Sequence, residues 1–122
     1  MPKPHSIVLA DDEAHIRLLL TTLAREMGLD ILGEATNGVG AVKLFRETMP
    51  DLMLLDINMP IKTGEWALRE ILKEFPEARI IMLTSMSDMA TVEECLRNGA
   101  FNFIRKDCPL DEIRSAIVEA FE

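Results

Sequence analysis

Leu52-Met53-Leu54-Leu55-Asp56 is four apolar residues in a row closed by a carboxylate, with Ile57-Asn58-Met59-Pro60 directly behind it. A run so short and so uniformly apolar reads as a strand covered on both faces, since a buried helix needs about ten residues or more. Ile7-Val8-Leu9-Ala10 and Ile80-Ile81-Met82-Leu83 repeat the pattern on either side. Phe101-Asn102-Phe103-Ile104 is a fainter version. Ile31 to Thr36 mixes apolar and polar residues around Gly33, which suits the edge of a sheet.

Helical periods fill the gaps. Ile16, Leu19, Leu20, Leu23, Ala24 and Met27 share one helix face, and Gly28 ends that helix. Asn37 is placed to cap a second helix over about Gly38 to Thr48, which Pro50 closes. Leu68, Ile71, Leu72 and Phe75 mark a third, stopped by Pro76. Met89, Val92, Cys95 and Leu96 mark a fourth, closed by Asn98-Gly99. Ile113, Ala116, Ile117 and Ala120 mark a fifth, entered through Pro109 as its first helical residue. Strand and helix therefore alternate five times without a linker or repeat, so the whole of 1–122 is expected to be one domain. Right-handed parallel crossovers make this a doubly wound α/β sandwich. The sheet order 2-1-3-4-5 puts the mixed 31–36 strand at an edge and Leu52–Leu55 at the centre. Ligands of such sheets bind beyond the carboxyl ends of the strands, where the order reverses.

Composition narrows the function. The 122 residues carry a net charge of −8 with 48% apolar and 28% charged side chains. That balance suits a folded chain but repels nucleic-acid phosphates and anionic membranes, so neither is an expected partner. No apolar run approaches the roughly 18 residues of a spanning helix. Two cysteines, Cys95 and Cys108, are too few for a disulfide framework or a zinc site and read as reduced thiols of a cytoplasmic protein.

The chemistry lies at the strand ends. The first strand runs into Asp11-Asp12-Glu13, the third into Asp56, the fourth into Thr84-Ser85 and the fifth into Arg105-Lys106. In the order 1-3-4-5 these ends are neighbours. Carboxylates gathered in one crevice repel one another until a cation joins them, and Mg²⁺ suits a few oxygen ligands completed by water and phosphate. Asp56 is a nucleophile able to attack phosphorus. Phosphoryl transfer then needs positioning and charge neutralisation, which Mg²⁺ and Lys106 supply, with the Thr84 hydroxyl as a hydrogen-bond donor.

With Leu9-Ala10-Asp11-Asp12-Glu13, Leu54 to Pro60 with Gly64, Met82-Leu83-Thr84-Ser85 and Gly99-Ala100 through Lys106 in this order, the chain resembles the receiver domain of bacterial two-component response regulators over nearly its full length. The resemblance implies a flavodoxin-like fold with the same sheet order. It implies Asp56 as phosphoacceptor for a sensor histidine kinase. Asp11, Asp12, Asp56 and the Asn58 backbone carbonyl would hold Mg²⁺, and Lys106 would pair with the phosphoryl group. Thr84 and the aromatic Phe103 would be the switch pair, changing a face of helix 4, strand 5 and helix 5 that meets a downstream protein. Such a domain catalyses only its own phosphorylation and dephosphorylation.

Two positions depart from that family. Asp107 stands where Pro usually follows the lysine, so either a trans peptide or a rearranged loop is expected, with Asp107 weakening phosphorylation or drawn aside by Arg105. Phe103 stands where Tyr is also common. Two other functions compete: a receiver-like interaction module independent of phosphorylation, and a phosphatase of the haloacid dehalogenase type, which wants an acid where Asn58 stands. Asp11-Asp12-Glu13 also reads as an acidic helix cap. His5 and His15 read as incidental, Gly38-Val39-Gly40 as no dinucleotide fingerprint, and Trp66 as a packing residue. Met86 and Met89 suit an adaptable partner surface if exposed, and Met86 flanks the acceptor together with Asn58.

Overall fold

The computed structural model describes residues 4–85 and 89–122. The elements are β1 (Ser6–Ala10), α1 (Ala14–Glu26), β2 (Asp30–Ala35), α2 (Gly38–Thr48), β3 (Leu52–Asp56), α3 (Gly64–Glu74), β4 (Ile80–Thr84), α4 (Met89–Arg97), β5 (Asn102–Arg105) and α5 (Leu110–Ala120). The strands are parallel in the order β2-β1-β3-β4-β5, as the apolar runs imply.

Strand alternation splits the core into two layers. Val8, Ala10, Met53, Leu55, Ile80 and Met82 face Ala41, Phe45, Leu68, Ile71 and Val92 of α2, α3 and α4. Ile7, Leu9, Leu52, Leu54, Ile81 and Leu83 face Leu20, Leu23, Ile113 and Ile117 of α1 and α5. Every residue of β3 and β4 is buried, which explains their unbroken apolar sequence. β2 alternates between exposed and half-buried up to the buried Ala35 at its end, as an edge strand should.

Local chemistry sets the boundaries. Asn37 caps α2 by accepting the Gly40 N–H at 2.8 Å, and Gly28 and Gly99 turn the chain after α1 and α4 with φ of +76° and +111°. Two expectations shift by a residue. β5 begins at Asn102, leaving Phe101 outside the strand, exposed, with the Arg79 guanidinium 5.5 Å from its ring centroid. Pro109 caps α5 from an extended backbone (ψ 148°) and Leu110 is the first helical residue. Met86 lies outside the described residues. Met89 is exposed, and Trp66 packs partly buried against the core.

Candidate functional site

Each site residue sits at or one step past the carboxyl end of a strand. Asp56 and Thr84 are the last residues of β3 and β4; Asp11 and Lys106 directly follow β1 and β5. Because those four strands are consecutive neighbours, the parallel register brings the side chains to one crevice. Asp11, Asp56 and Thr84 are buried, whereas Asp12 is exposed at the rim. Ligand oxygens of Asp11, Asp12 and Asp56 all lie within 4.8 Å of one another.

Lys106 is the cation that answers them. Its Nζ lies 3.0 Å from Asp11 Oδ2, 3.1 Å from Asp56 Oδ2 and 3.1 Å from Glu13 Oε1. The two aspartate oxygens are at ion-pair distance from the ammonium, yet neither accepts a well-directed hydrogen bond. The other oxygens are spoken for: Asp11 Oδ1 accepts the Glu13 N–H at 2.8 Å and Asp56 Oδ1 the Asn58 N–H at 3.3 Å. Two buried carboxylate oxygens short of donors, beside the Asp12 carboxylate, make a donor set that fits a hard divalent cation.

The electrostatics follow from burial. Desolvation, reinforced by the neighbouring Asp11, raises the Asp56 carboxyl from 3.8 to about 7 against the lowering pull of Lys106. Burial alone would lower the Lys106 ammonium, but Asp11, Asp56 and Glu13 outweigh it and hold the group above its ordinary range. Burial also pushes the Cys95 thiol to about 11 and raises that of Cys108, so both free thiols stay protonated near neutrality.

The Lys106–Asp107 peptide is trans, one of the two outcomes expected, and the lysine still points into the crevice. Arg105 holds the Asp107 carboxylate at 3.0 Å, which draws that added charge aside. Thr84 donates its hydroxyl to the Ser85 carbonyl at 2.8 Å, and Phe103 is half-buried against the α2–α3–α4 layer. The cap reading of the acidic triplet is not met: Glu13 occupies the cap position of α1 without a side-chain hydrogen bond, and the first turn is not acidic.

The loop after β3 is held closely. Ile57 donates to the Leu83 carbonyl at 3.2 Å and Gly64 donates to the Ile57 carbonyl at 2.8 Å. A Cβ at Gly64 would run into the Asp56 carbonyl, so the approach of α3 to the acceptor strand requires glycine. Thr63 caps α3 by accepting the Trp66 N–H at 3.2 Å. Sequence reasoning passed over Thr63, the individual role of Glu13, and Arg17, whose guanidinium donates to the Asp11 carbonyl at 2.8 Å and faces Glu34 at 3.3 Å. The hydroxyl before Gly64 was a legible cap signal; nothing in the spacing pointed to Arg17.

Comparison with known proteins agrees with this fold. Residues 7–118 match the family model of the response regulator receiver domain. The chain is 39% identical over 100 residues to the chemotaxis protein CheY of Thermotoga maritima, covering 82% of this chain and 83% of that one. It is 36% identical over 113 residues to the CheY of Bacillus subtilis, covering 93% and 94%. A chain in the crystal structure of the CheX-CheY-BeF3-Mg²⁺ complex from Borrelia burgdorferi superposes with a TM-score of 0.92 at 27% identity, covering 98% of this chain and 90% of that one.

Proposed function

The chain belongs to the response regulator receiver domain family, and from that footing we propose that it is a two-component switch whose phosphoacceptor is Asp56. The observation that carries this reading is the convergence of Asp11, Asp12, Asp56 and Lys106 in one crevice, with two buried carboxylate oxygens lacking a directed donor. Asp11, Asp12, Asp56 and the Asn58 backbone carbonyl would hold Mg²⁺. A bound dication supplies charge neutralisation on the transferring phosphoryl oxygens.

The chain's own groups do the rest. Ionised Asp56 attacks phosphorus with a carboxylate oxygen. The P–N bond to the histidine of a sensor kinase breaks, and the departing imidazole nitrogen takes a proton from water. Lys106 keeps its ammonium against the phosphoryl oxygens. Thr84 then gives up its bond to Ser85 for the new acceptor, and Phe103 repacks inward, carrying the change to α4, β5 and α5. The β5–α5 part of that face carries a groove of about 530 Å³ whose lining includes Phe103, Ile104, Cys108 and Ala116. Hydrolysis of the acyl phosphate by water resets the switch, so the domain catalyses only its own phosphorylation and dephosphorylation. The unit is read as a single receiver domain acting in the cytoplasm.

Neither competing function has support. Asn58 leaves a dehalogenase-type phosphatase without its second acid. Lys106 turned inward removes the reason to regard the site as vestigial. The test is incubation with Mg²⁺ and acetyl phosphate followed by intact-mass measurement. One phosphoryl group should appear on the wild type and none on Asp56→Asn; labelling that persists in the variant would overturn the assignment.

A further inference from the structure

We infer that Glu13 is a positioning residue for Lys106: it retains the ammonium at the mouth of the crevice when a dication occupies the Asp11 and Asp56 oxygens. The inference rests on the divalent-ion site proposed above. Three carboxylates share the one ammonium, with Asp11 and Asp56 buried and Glu13 partly exposed. The well-directed hydrogen bond from Nζ goes to Glu13 Oε1 at 3.1 Å, not to either aspartate. The second Glu13 oxygen lies 3.3 Å from His15 Nε2.

A dication on the oxygens that the ammonium now approaches at 3.0 and 3.1 Å repels it. Whatever dication takes Asp11 Oδ2 and Asp56 Oδ2 weakens the hold of both on the ammonium. Of the acidic groups around Lys106 among the described residues, Asp11, Asp12 and Asp56 would then be engaged, and Asp107 is already drawn to Arg105 at 3.0 Å. Glu13 is left, bonded in advance and outside the ligand set. A lysine released into water would regain its rotamer freedom and leave the position from which it meets an incoming phosphoryl group. In a chain with Asp107 after the lysine, this side-chain contact supplies restraint on Lys106 from the opposite side of the crevice.

The test observes the ammonium itself. Lysine NH3⁺ protons in free solution exchange too fast to give a ¹⁵Nζ correlation near neutral pH, whereas a held group remains visible. With ¹⁵N-lysine protein, the Lys106 signal (assigned by its loss in Lys106→Met) should persist at saturating Mg²⁺ in the wild type and vanish in Glu13→Gln. Survival of the signal in Glu13→Gln, or its loss from the wild type on adding Mg²⁺, overturns the inference. Backbone amide shifts of Asp12 and Asp56 in the same titration report Mg²⁺ binding. If they do not move, the ion site fails and the inference falls with it; if they move and Glu13→Gln keeps its lysine signal, only the inference fails. Glu13→Gln should also be labelled several-fold more slowly by acetyl phosphate, while Glu47→Gln, an exposed change on α2, leaves both readouts alone.

Discussion

Burial raises the Asp56 carboxyl from 3.8 to about 7, with Asp11 adding to the shift and Lys106 opposing it. In the metal-free protein between these two values the folded state keeps a proton that the unfolded chain has released. Folding therefore takes up a proton, and stability contributed by this site falls as pH rises from about 4 to about 7, then levels. Asp56→Asn removes the penalty. In EDTA its stability gain over wild type should be larger at pH 8 than at pH 5 by about 1–2 kcal/mol, a value discounted for solvent screening at the mouth. Urea unfolding at the two pH values checks it, and equal gains would contradict the buried carboxylate. Asp56 was legible because a carboxylate closing an all-apolar strand conflicts with burial, and such conflicts are where sites are found. Glu13 was less legible, since an acidic residue before a helix has an ordinary electrostatic explanation.

Strands and helices were largely readable because each carries a single strong period. β3 and β4 have apolar residues throughout, and α1 repeats its apolar face over three turns. Boundaries slipped where two signals overlap. Phe101 has the apolar bulk of a strand residue, and its N–H reaches the Ile80 carbonyl of β4 at 2.8 Å, but the regular ladder starts at Asn102 and the exposed ring lies against Arg79. Pro109 can serve as a first helical residue or, with its N–H absent, as the residue before it; here it is the latter. The β3–α3 connection depends on a contact that no local period encodes, the approach of Gly64 to the Asp56 carbonyl. Gly64→Ala should destabilise the protein by about 3 kcal/mol, as overpacking does, and should slow labelling by acetyl phosphate because the strand carrying the acceptor must shift. Chemical denaturation and the mass assay read the two effects. A variant with unchanged midpoint and rate would show that the loop yields freely.

For the molecule as a whole, a net charge of −8 with three carboxylates converging at one pole stores repulsion that a dication relieves. Mg²⁺ should accordingly raise the thermal midpoint, by the equivalent of about 2.7 kcal/mol at a hundredfold excess over Kd, and EDTA should reverse the rise. Asp12→Ala should blunt the response while folding normally, since Asp12 is exposed. An undiminished shift in that variant would remove Asp12 from the ligand set. The gathering of the site was readable only through topology: Asp11 and Lys106 are distant in sequence and meet because β1 and β5 flank β3 and β4 in one parallel sheet.

Away from the carboxylates, the His5 ring stacks on Phe121 at 4.2 Å and nearly parallel, and Arg79 donates to the Ala120 carbonyl. The seam lies where β1 starts and α5 ends, whereas the crevice opens where β1, β3, β4 and β5 finish. A module anchored on His5 or Phe121 would therefore sit at the amino ends of the strands, at the pole opposite the acceptor carboxylate, and its bulk would leave the mouth of the crevice open.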